Sequence, residues 1–334
     1  MKTTAIGYTE NLPASDPASL IERTIEVPAP GPHDLLVEVE AVSVNPVDVK
    51  LRAGAPSGGF RVLGFDAVGI VREIGDAVTL FQPGDEVFYA GSYDRPGTNQ
   101  RLHLVDERIV GRKPSTLSPE DAAALPLTSI TAWETLFDRF GLTWESTGTL
   151  LIVGATGGVG SAMLQLAEVL LPDVTVIATA SNPEREAWVT KLGAEHTVNH
   201  HGDLVAQVLA IAPGGVDWLF TAHSEGQLEA YAQIVRPFGQ ITAIDDGPRD
   251  VSPLKPRSIT WHWELMFTRP VQQTPDMIEQ HLLLERVADM VEQGQLVSTA
   301  TRRMTPISGA TLREAHQLVE GGRLVGKLVL RGWE

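Results

Sequence analysis

The 334-residue sequence contains no cysteine. That one absence excludes disulfides, thiolate zinc sites, iron–sulfur clusters and thiol nucleophiles together. Positive charge is also scarce: 26 Lys and Arg face 42 Asp and Glu, a formal net charge of −16. No dense basic run exists, which argues against a nucleic-acid partner, because a phosphate backbone needs clustered cations. An anionic ligand must then be held locally, by backbone N–H groups and one or two placed cations. No apolar run approaches the roughly 18 residues of a membrane span. The stretch MKTTAIGYTENLPASD lacks the basic-then-apolar pattern of a secretion signal, so a cytoplasmic location without membrane association is expected. Internal repeats and low-complexity segments are missing too.

What remains is the composition of a globular protein, with 43% hydrophobic and 20% charged residues. The length exceeds one compact core and suits two domains. In the first third, LLVEVEAVS (35–43) and GIVREIG (69–75) alternate apolar and polar residues with period two, the pattern of half-buried strands. Turn chemistry crowds around them at PAPGP (28–32), RAGAPSGG (52–59) and QPGDEV (82–87), which reads as a compact β-barrel domain. Helical spacing takes over in SPEDAAALPLTSITAWETLFDRFG (118–141), with Ser118 as N-cap, Pro119 at the first position and Gly141 as the stop.

From residue 149 strands and helices alternate: LLIV, SAMLQLAEVLL, VTVIATA, PEREAWVTKLG, VDWLFT, EGQLEAYAQIV and GQITAI. This is the pattern of a doubly wound parallel sheet. The helix at 183–192 is signposted by Asn182, Pro183 and Gly193. SITWHWELMFT reads as a final strand. A helix through PDMIEQHLLLERVADMVEQG follows, then a return to β structure in RRMTPIS and GKLVLRG around a helix at 310–320. The expected division is a β domain over 1–124, rejoined by 272–334, and a dinucleotide-binding domain over 125–271.

Gly154, Gly157 and Gly160 form G-x-x-G-x-x-G between a strand and a helix. Such a turn lets backbone approach a pyrophosphate at Gly157, allows close packing at Gly160, and offers the unpaired N–H groups of a helix start to negative charge. The first gap is one residue longer than in G-x-G-x-x-G. An NAD site carries Asp or Glu at the end of the second strand for the ribose 2′-hydroxyl. Here that strand ends ATASNPER, with no carboxylate at Thr179, Ala180 or Ser181. Ser181 and Arg185 suit a 2′-phosphate instead, so NADP(H) is the expected cofactor. The bland alternatives stay open: Arg185 as a solvated surface charge, and Glu184 as a helix-start acid.

Taken together, VSVNPVDVKLRAG (42–54), VLGFDAVGIVREIG (62–75), PGDEVF (83–88), LPLTSITAWETL (125–136) and GATGGVG (154–160) resemble the medium-chain dehydrogenase/reductase superfamily over essentially the whole chain. Within it the chain is similar to the zinc-independent quinone oxidoreductase branch. HWELMFTRP and TPDMIEQHLLLERVADMVEQGQL resemble the bacterial subgroup labelled zinc-type alcohol dehydrogenase-like. The resemblance implies an α/β protein, with a GroES-like β-barrel domain, a Rossmann domain and a cofactor cleft between them. It also implies a homodimer, with SITWHWELMFT continuing the sheet across subunits.

Zinc-dependent members of that superfamily hold the metal with Cys, His and a further Cys or Asp, beside a Glu. At the corresponding positions this sequence has Asn45, Phe65-Asp66 and Leu127-Thr128. Asn and Phe supply none of the donors zinc requires, and no metal is expected. His262 and Glu264 make two ligands at most, too few for a site. His200 and His201 are expected to point apart on a strand, exposed or hydrogen-bonded.

Without a Lewis acid, hydride exchange with simple alcohols becomes harder by several kcal/mol. Quinones, enones and alkenals accept hydride on their own, so the protein needs mainly to hold donor and acceptor in contact. The expected activity is NADPH-dependent reduction of a small-molecule quinone. The rivals are reduction of an enone or alkenal, and an NADPH-binding sensor or structural protein with little catalysis. By resemblance, Asn45 and Thr131 are the catalytic candidates, with Asp48 a structural hydrogen-bonder beside Asn45. Gly154, Gly157, Gly158, Val159 and Gly160 line the pyrophosphate, Ser181 and Arg185 the 2′-phosphate, and Lys327 approaches the cofactor from the returning tail. Phe65, Tyr89, Tyr93 and Phe267 are candidates for an aromatic substrate wall, with core packing as the alternative for each. No residue declares itself a general acid, which leaves water to deliver the proton.

Overall fold

The computed structural model describes residues 1–55 and 57–334. Pro56, within the expected 52–59 turn, lies outside the described residues. The chain divides into two compact units, Met1–Ile130 with Phe267–Glu334, and Thr131–Met266. The unit boundaries differ from the expected 124/125 and 271/272 for a local reason. Leu127 donates its N–H to Asp66 of the first unit, and Phe267 packs its ring on Phe65 and Tyr93 of that unit.

The first unit opens with β1 (Lys2–Tyr8), β2 (Ile21–Glu26), β3 (Asp34–Val44), α1 (Pro46–Gly54), β4 (Arg61–Val62), β5 (Ala67–Ile74), β6 (Glu86–Tyr89), β7 (Leu102–Asp106) and β8 (Val110–Arg112). Next come α2 (Pro119–Ala123) and α3 (Pro126–Trp133), whose last residues, from Thr131, belong to the second unit. The second unit holds β9 (Gly148–Val153), α4 (Gly158–Leu170), β10 (Val174–Thr179), α5 (Pro183–Lys191), β11 (His196–Val198), α6 (Leu204–Ile211), β12 (Val216–Thr221), α7 (Leu228–Ile234), β13 (Val235–Ala243) and β14 (Thr260–Trp263). The return to the first unit contributes α8 (Thr268–Gln272), α9 (Glu279–Glu292), β15 (Ala300–Met304), α10 (Gly309–Glu320) and β16 (Lys327–Arg331).

In the first unit a seven-stranded sheet runs β15-β16-β3-β5-β6-β8, with β7 also on β3, beside a three-stranded sheet β2-β1-β4. β3 departs from clean alternation: Leu35, Leu36 and Val37 are all buried in sequence. Register shifts against β5 at Leu36/Val37 and Val39/Ala41 mark bulges, which bend a strand and break its two-residue period. The returning tail lays β16 antiparallel on β3, with Leu328 opposite Val44, and this pairing carries Lys327 to the start of α1.

The expected helix over 118–141 is broken. Ser118 does cap α2, accepting the Asp121 N–H. The helix stops at Ala123, Pro126 restarts it, and after Trp133 it continues as a π-helical turn to Arg139. A proline has no N–H to donate and disfavours helical backbone just before it, which accounts for the interruption. Gly141, with φ +67°, ends the segment as expected.

The second unit is a six-stranded sheet, parallel throughout, ordered β11-β10-β9-β12-β13-β14. Its order reverses between β9 and β12, and in open α/β sheets ligands bind at that switch, beyond the carboxyl ends of the strands. Leu151, Ile177, Val208, Leu219, Val235 and Ile241 pack in one buried cluster, each worth about 1.5–3 kcal/mol of burial. β11 and α6 are not in the strand–helix alternation read from the sequence. α6 is LVAQVLAI, apolar on nearly every side, so no helical stripe stands out; its signal was Asp203, whose side chain accepts the Ala206 N–H. His200 and His201 lie in the turn after β11, not on a strand, and their rings meet at 4.2 Å instead of pointing apart.

Candidate active site

In the second unit the chain leaves β9 through a glycine-rich turn, GATGGVG. Gly154 has φ +84°, a conformation costly for any residue with a Cβ, and donates its N–H to Thr179 Oγ1 at 3.0 Å. Gly157 caps α4 in extended backbone without a side-chain hydrogen bond, so Gly158, Val159 and Gly160 offer the orphan N–H groups of the first helical turn. A Cβ on Gly160 would sit 2.5 Å from Ala155 Cα. The helix therefore rests on its own turn there and tolerates no side chain.

The far side of the turn is furnished from β10 and α5. Asn182 accepts the Arg185 N–H at 2.9 Å, with Pro183 behind it and Gly193 closing the segment at φ +112°. The cap aims Arg185 back toward the glycines, and its Nη1 donates to Thr156 Oγ1 at 2.9 Å. Ser181 stands half-buried just beyond β10. Burial first, and then the neighbouring His201, His223 and Arg185, lower the His200 pKa. Thr179 was passed over in the sequence because it is not an acid, yet its hydroxyl ties β10 to the glycine turn. At the end of β12, Thr221 Oγ1 takes the His223 N–H, and Asp245 holds Ser224 and Arg249 at 2.7–3.0 Å.

In the first unit, residues from three distant segments meet in a buried corner. Asn45 precedes α1 and is 1% exposed; Asp66 precedes β5 and is 0% exposed; Lys327 opens β16 and is 4% exposed. Asn45 Nδ2 donates to Asp66 Oδ2 at 2.8 Å and to the Phe65 carbonyl at 3.3 Å. Lys327 Nζ donates to Asp66 Oδ2 at 2.9 Å and to Asn45 Oδ1. Asp66 Oδ1 takes the Leu127 N–H at 2.8 Å. Beside them Asp48 accepts the N–H groups of Asn45 and Gly64, both at 2.8 Å, and burial pushes its pKa up to about 7. Burial also pushes the Asp66 carboxyl up, opposed by the Lys327 ammonium and the Asn45 amide.

This geometry corrects two expectations. The Asn45 amide is spent on Asp66, Phe65 and Lys327, so it is an interior group and not an open contact for cofactor or substrate. Lys327 does not reach out from the tail; its ammonium is turned into the corner. Asp48 is the hydrogen-bonder anticipated. The sequence signal for the corner was Asp66 itself, an acid inside an apolar stretch, which demands a partner when buried.

The aromatic candidates separate. Phe267 receives Phe65 and Tyr93 edge-on, each with ring centroids 5.2 Å away, while Tyr93 stays half-buried. Tyr89 does not belong with them. It is fully buried, stacked on His103 at 5.5 Å with its hydroxyl 3.1 Å from His103 Nδ1, and burial raises its pKa. Thr131 lies in the second unit on α3, buried at 5% exposure. His262 meets Gln240 Oε1 at 2.9 Å and Glu264 pairs with Arg139 at 2.7 Å, so both are spent on neighbours. Among the described residues no group of three or more His, Cys, Asp or Glu side chains gathers as a metal's ligands, and no helix is long and apolar enough to cross a membrane.

Residues 31–112 match the family model described as alcohol dehydrogenase GroES-like domain, and residues 158–270 the one described as zinc-binding dehydrogenase. A zinc-type alcohol dehydrogenase-like protein of Staphylococcus epidermidis (strain ATCC 12228 / FDA PCI 1200) is 39% identical over 333 residues, covering 98% of each chain. A crystal structure from Rhizobium etli CFN 42, named provisionally as a zinc-dependent alcohol dehydrogenase, superimposes with a TM-score of 0.96 at 49% identity. It covers 100% of this chain and 99% of its own. The quinone oxidoreductase of Coxiella burnetii superimposes at 0.81 with 25% identity, covering 99% of each chain.

Proposed function

The chain belongs to the medium-chain dehydrogenase/reductase superfamily, an oxidoreductase fold that binds a nicotinamide cofactor, and on that premise we propose that it is an NADPH-dependent, zinc-independent reductase of quinones. The observation that carries the cofactor choice is the Arg185 guanidinium on Thr156 Oγ1 beside the glycine turn, with no acid at the end of β10 to take a 2′-hydroxyl. Arg185, Ser181 and the nearby His200 supply a cation and hydrogen-bond donors suited to a 2′-phosphate. Gly157, Gly158, Val159 and Gly160 hold the pyrophosphate on the α4 N-terminus. The bound nicotinamide supplies the hydride.

The zinc implied by the matched description does not suit the corner. Zinc binds thiolate, neutral imidazole or carboxylate. Here an ammonium and an amide already consume the Asp66 carboxylate, and Asn45 and Phe65 stand where a thiolate and an imidazole would be needed. An acceptor that is electrophilic by itself follows from that chemistry. Half-buried Tyr93 is the aromatic side chain assigned to the acceptor's ring, with the buried Phe267 and Phe65 packed behind it. Exposed Trp263 and Leu265, at 48% and 47%, on and just after the edge strand β14, support a homodimer joined through that edge. A cytoplasmic setting goes with this chemistry.

Following NADPH absorbance with a panel of quinones, enones and simple alcohols, with NADH in parallel, tests the reading. Quinone turnover with NADPH at least tenfold above NADH is expected. Faster turnover of enones moves the substrate class. NADPH binding with no acceptor consumed ends the enzyme reading in favour of a sensor or structural role.

A further inference from the structure

Three histidines gather in the second unit, at the edge assigned above to the 2′-phosphate. β11 lies beside β10, with Val198 opposite Thr179, and the Ala180 N–H donates to the Val198 carbonyl at 2.9 Å. Ser181 and the turn holding His200 and His201 therefore leave the sheet from neighbouring strands. That turn is tied down by α6. Gln207 Oε1 accepts the Asn199 N–H at 2.9 Å and its Nε2 donates to the Asn199 carbonyl at 3.0 Å, while Asn199 Oδ1 accepts the His201 N–H at 3.0 Å. The His200 and His201 rings stand 4.2 Å apart. His223 comes from the end of β12, with its N–H donated to Thr221 Oγ1 and its carbonyl accepting the Tyr231 hydroxyl, both at 3.0 Å. A Cβ on Gly154 would lie 4.0 Å from His223 Cδ2, so this third ring borders the glycine turn.

Burial, and after it His201, His223 and Arg185, hold the His200 imidazole below its ordinary range, so in the free protein it is neutral at pH 7. Carboxylates of the flanking elements are turned to other partners. Glu186 of α5 accepts the Thr197 hydroxyl at 2.8 Å, Asp203 caps α6 by accepting the Ala206 N–H at 2.9 Å, and Asp245 holds Ser224 and Arg249. Glu184 on α5 and Glu225 after β12 are exposed. A phosphate monoester, with a charge of about −1.5 to −2 at pH 7, reverses this balance, because an opposite charge a few ångströms away favours imidazolium.

We propose that His200 and His201 are specificity-determining residues that take up a proton as NADPH binds, so that its advantage over NADH grows as pH falls from 8 toward 6.5. The inference rests on the NADP(H) reading above. NADH carries a hydroxyl in place of the 2′-phosphate and gains nothing from that proton. An arginine is charged throughout this range, so Arg185 supplies a preference that does not vary with pH. The histidines add the part that does.

Isothermal titration of the full chain with NADPH and with NADH, between pH 6.5 and pH 8 and in two buffers of different ionisation enthalpy, reads both the affinity and the protons taken up. Wild type is expected to bind NADPH about fivefold more tightly at pH 6.5 than at pH 8, taking up about half a proton near pH 7, and to bind NADH equally across the range. The double variant His200→Gln/His201→Gln keeps hydrogen-bonding side chains but cannot become cationic. Its NADPH affinity is expected to vary less than about twofold over the same range, with most of the proton uptake lost and NADH binding as in wild type. Protonation of the phosphate itself, with a pKa of about 6, is common to both proteins and cancels in the comparison. An equal pH dependence for NADPH and NADH, or proton uptake that persists in the double variant, overturns the proposal. A preference for NADPH that is high but constant with pH overturns it as well, and leaves the NADP(H) reading standing on Arg185. If NADH binds as tightly as NADPH at every pH, the NADP(H) reading itself falls and takes the histidine inference with it.

Discussion

In the first unit Asp48, Asp66, Lys327, Arg52, His103 and His316 are all buried, and Asp66, Lys327, Arg52 and His316 have partners distant in sequence. Arg52, for one, donates to His316 Nδ1 at 3.3 Å and pairs with Glu320. In the second unit the buried cluster of the sheet is largely aliphatic, and Arg185, Asp245 and Arg249 stand near the strand ends; the Glu264–Arg139 pair and the buried Glu134 are exceptions. The difference teaches where each unit is vulnerable. A barrel held by buried charge responds in stability to titration and charge deletion. A sheet held by apolar packing leaves its charged groups near the strand ends, where ligand binding is expected to act on them.

The largest effect expected from this contrast is Asp66→Ala. It leaves the Lys327 ammonium buried without its counter-charge and should cost about 3–5 kcal/mol in urea unfolding. Gly160→Ala comes next, at about 1–3 kcal/mol, because the added methyl meets the Ala155 backbone; loss of NADPH binding should accompany it. If Asp66→Ala proves the milder of the two, the contrast between the units is wrong.

Arg185→Leu should weaken NADPH binding by about tenfold, near 1.4 kcal/mol, with NADH binding and Tm unchanged, as isothermal titration and thermal melts will report. A fall in Tm without a change in cofactor preference would return Arg185 to the surface charges. The smallest effect is a slope. Burial and the Arg52 charge lower the His316 pKa to about 3, against an ordinary value near 6.5. Its contribution to stability is complete above pH 6.5 and is lost as pH falls from there toward 3. His316→Leu should therefore lose less Tm than wild type between pH 7 and pH 5. Asp48 acts oppositely: with its pKa raised to about 7, its contribution is complete below about 4 and is lost as pH rises through 7.

The legible parts of the fold were those whose signals lie within a few residues of one another. Asn182, Pro183 and Gly193 announced α5, and their cap geometry is present in full. The alternation from residue 149 announced the parallel sheet. Illegible parts had no local signal or a misleading one. The apolar run of α6 hid its stripe, Pro126 cut a segment that spacing alone made continuous, and bulges in β3 spoiled its period. Tyr89 and Tyr93 look alike in sequence, but only Tyr89 faces His103.

By itself the sequence determined the class of fold, the glycine turn, the missing acid after β10 and the missing zinc donors, because each is a matter of residue type or short spacing. The tertiary structure alone decided which cation meets Asp66. A buried carboxylate must find a counter-charge wherever the chain can bring one, and β16, returning to β3, brings Lys327 to Asp66 and Asn45. No spacing rule reaches across that many residues, since the pairing is fixed by sheet register and the cost of leaving charge unpaired.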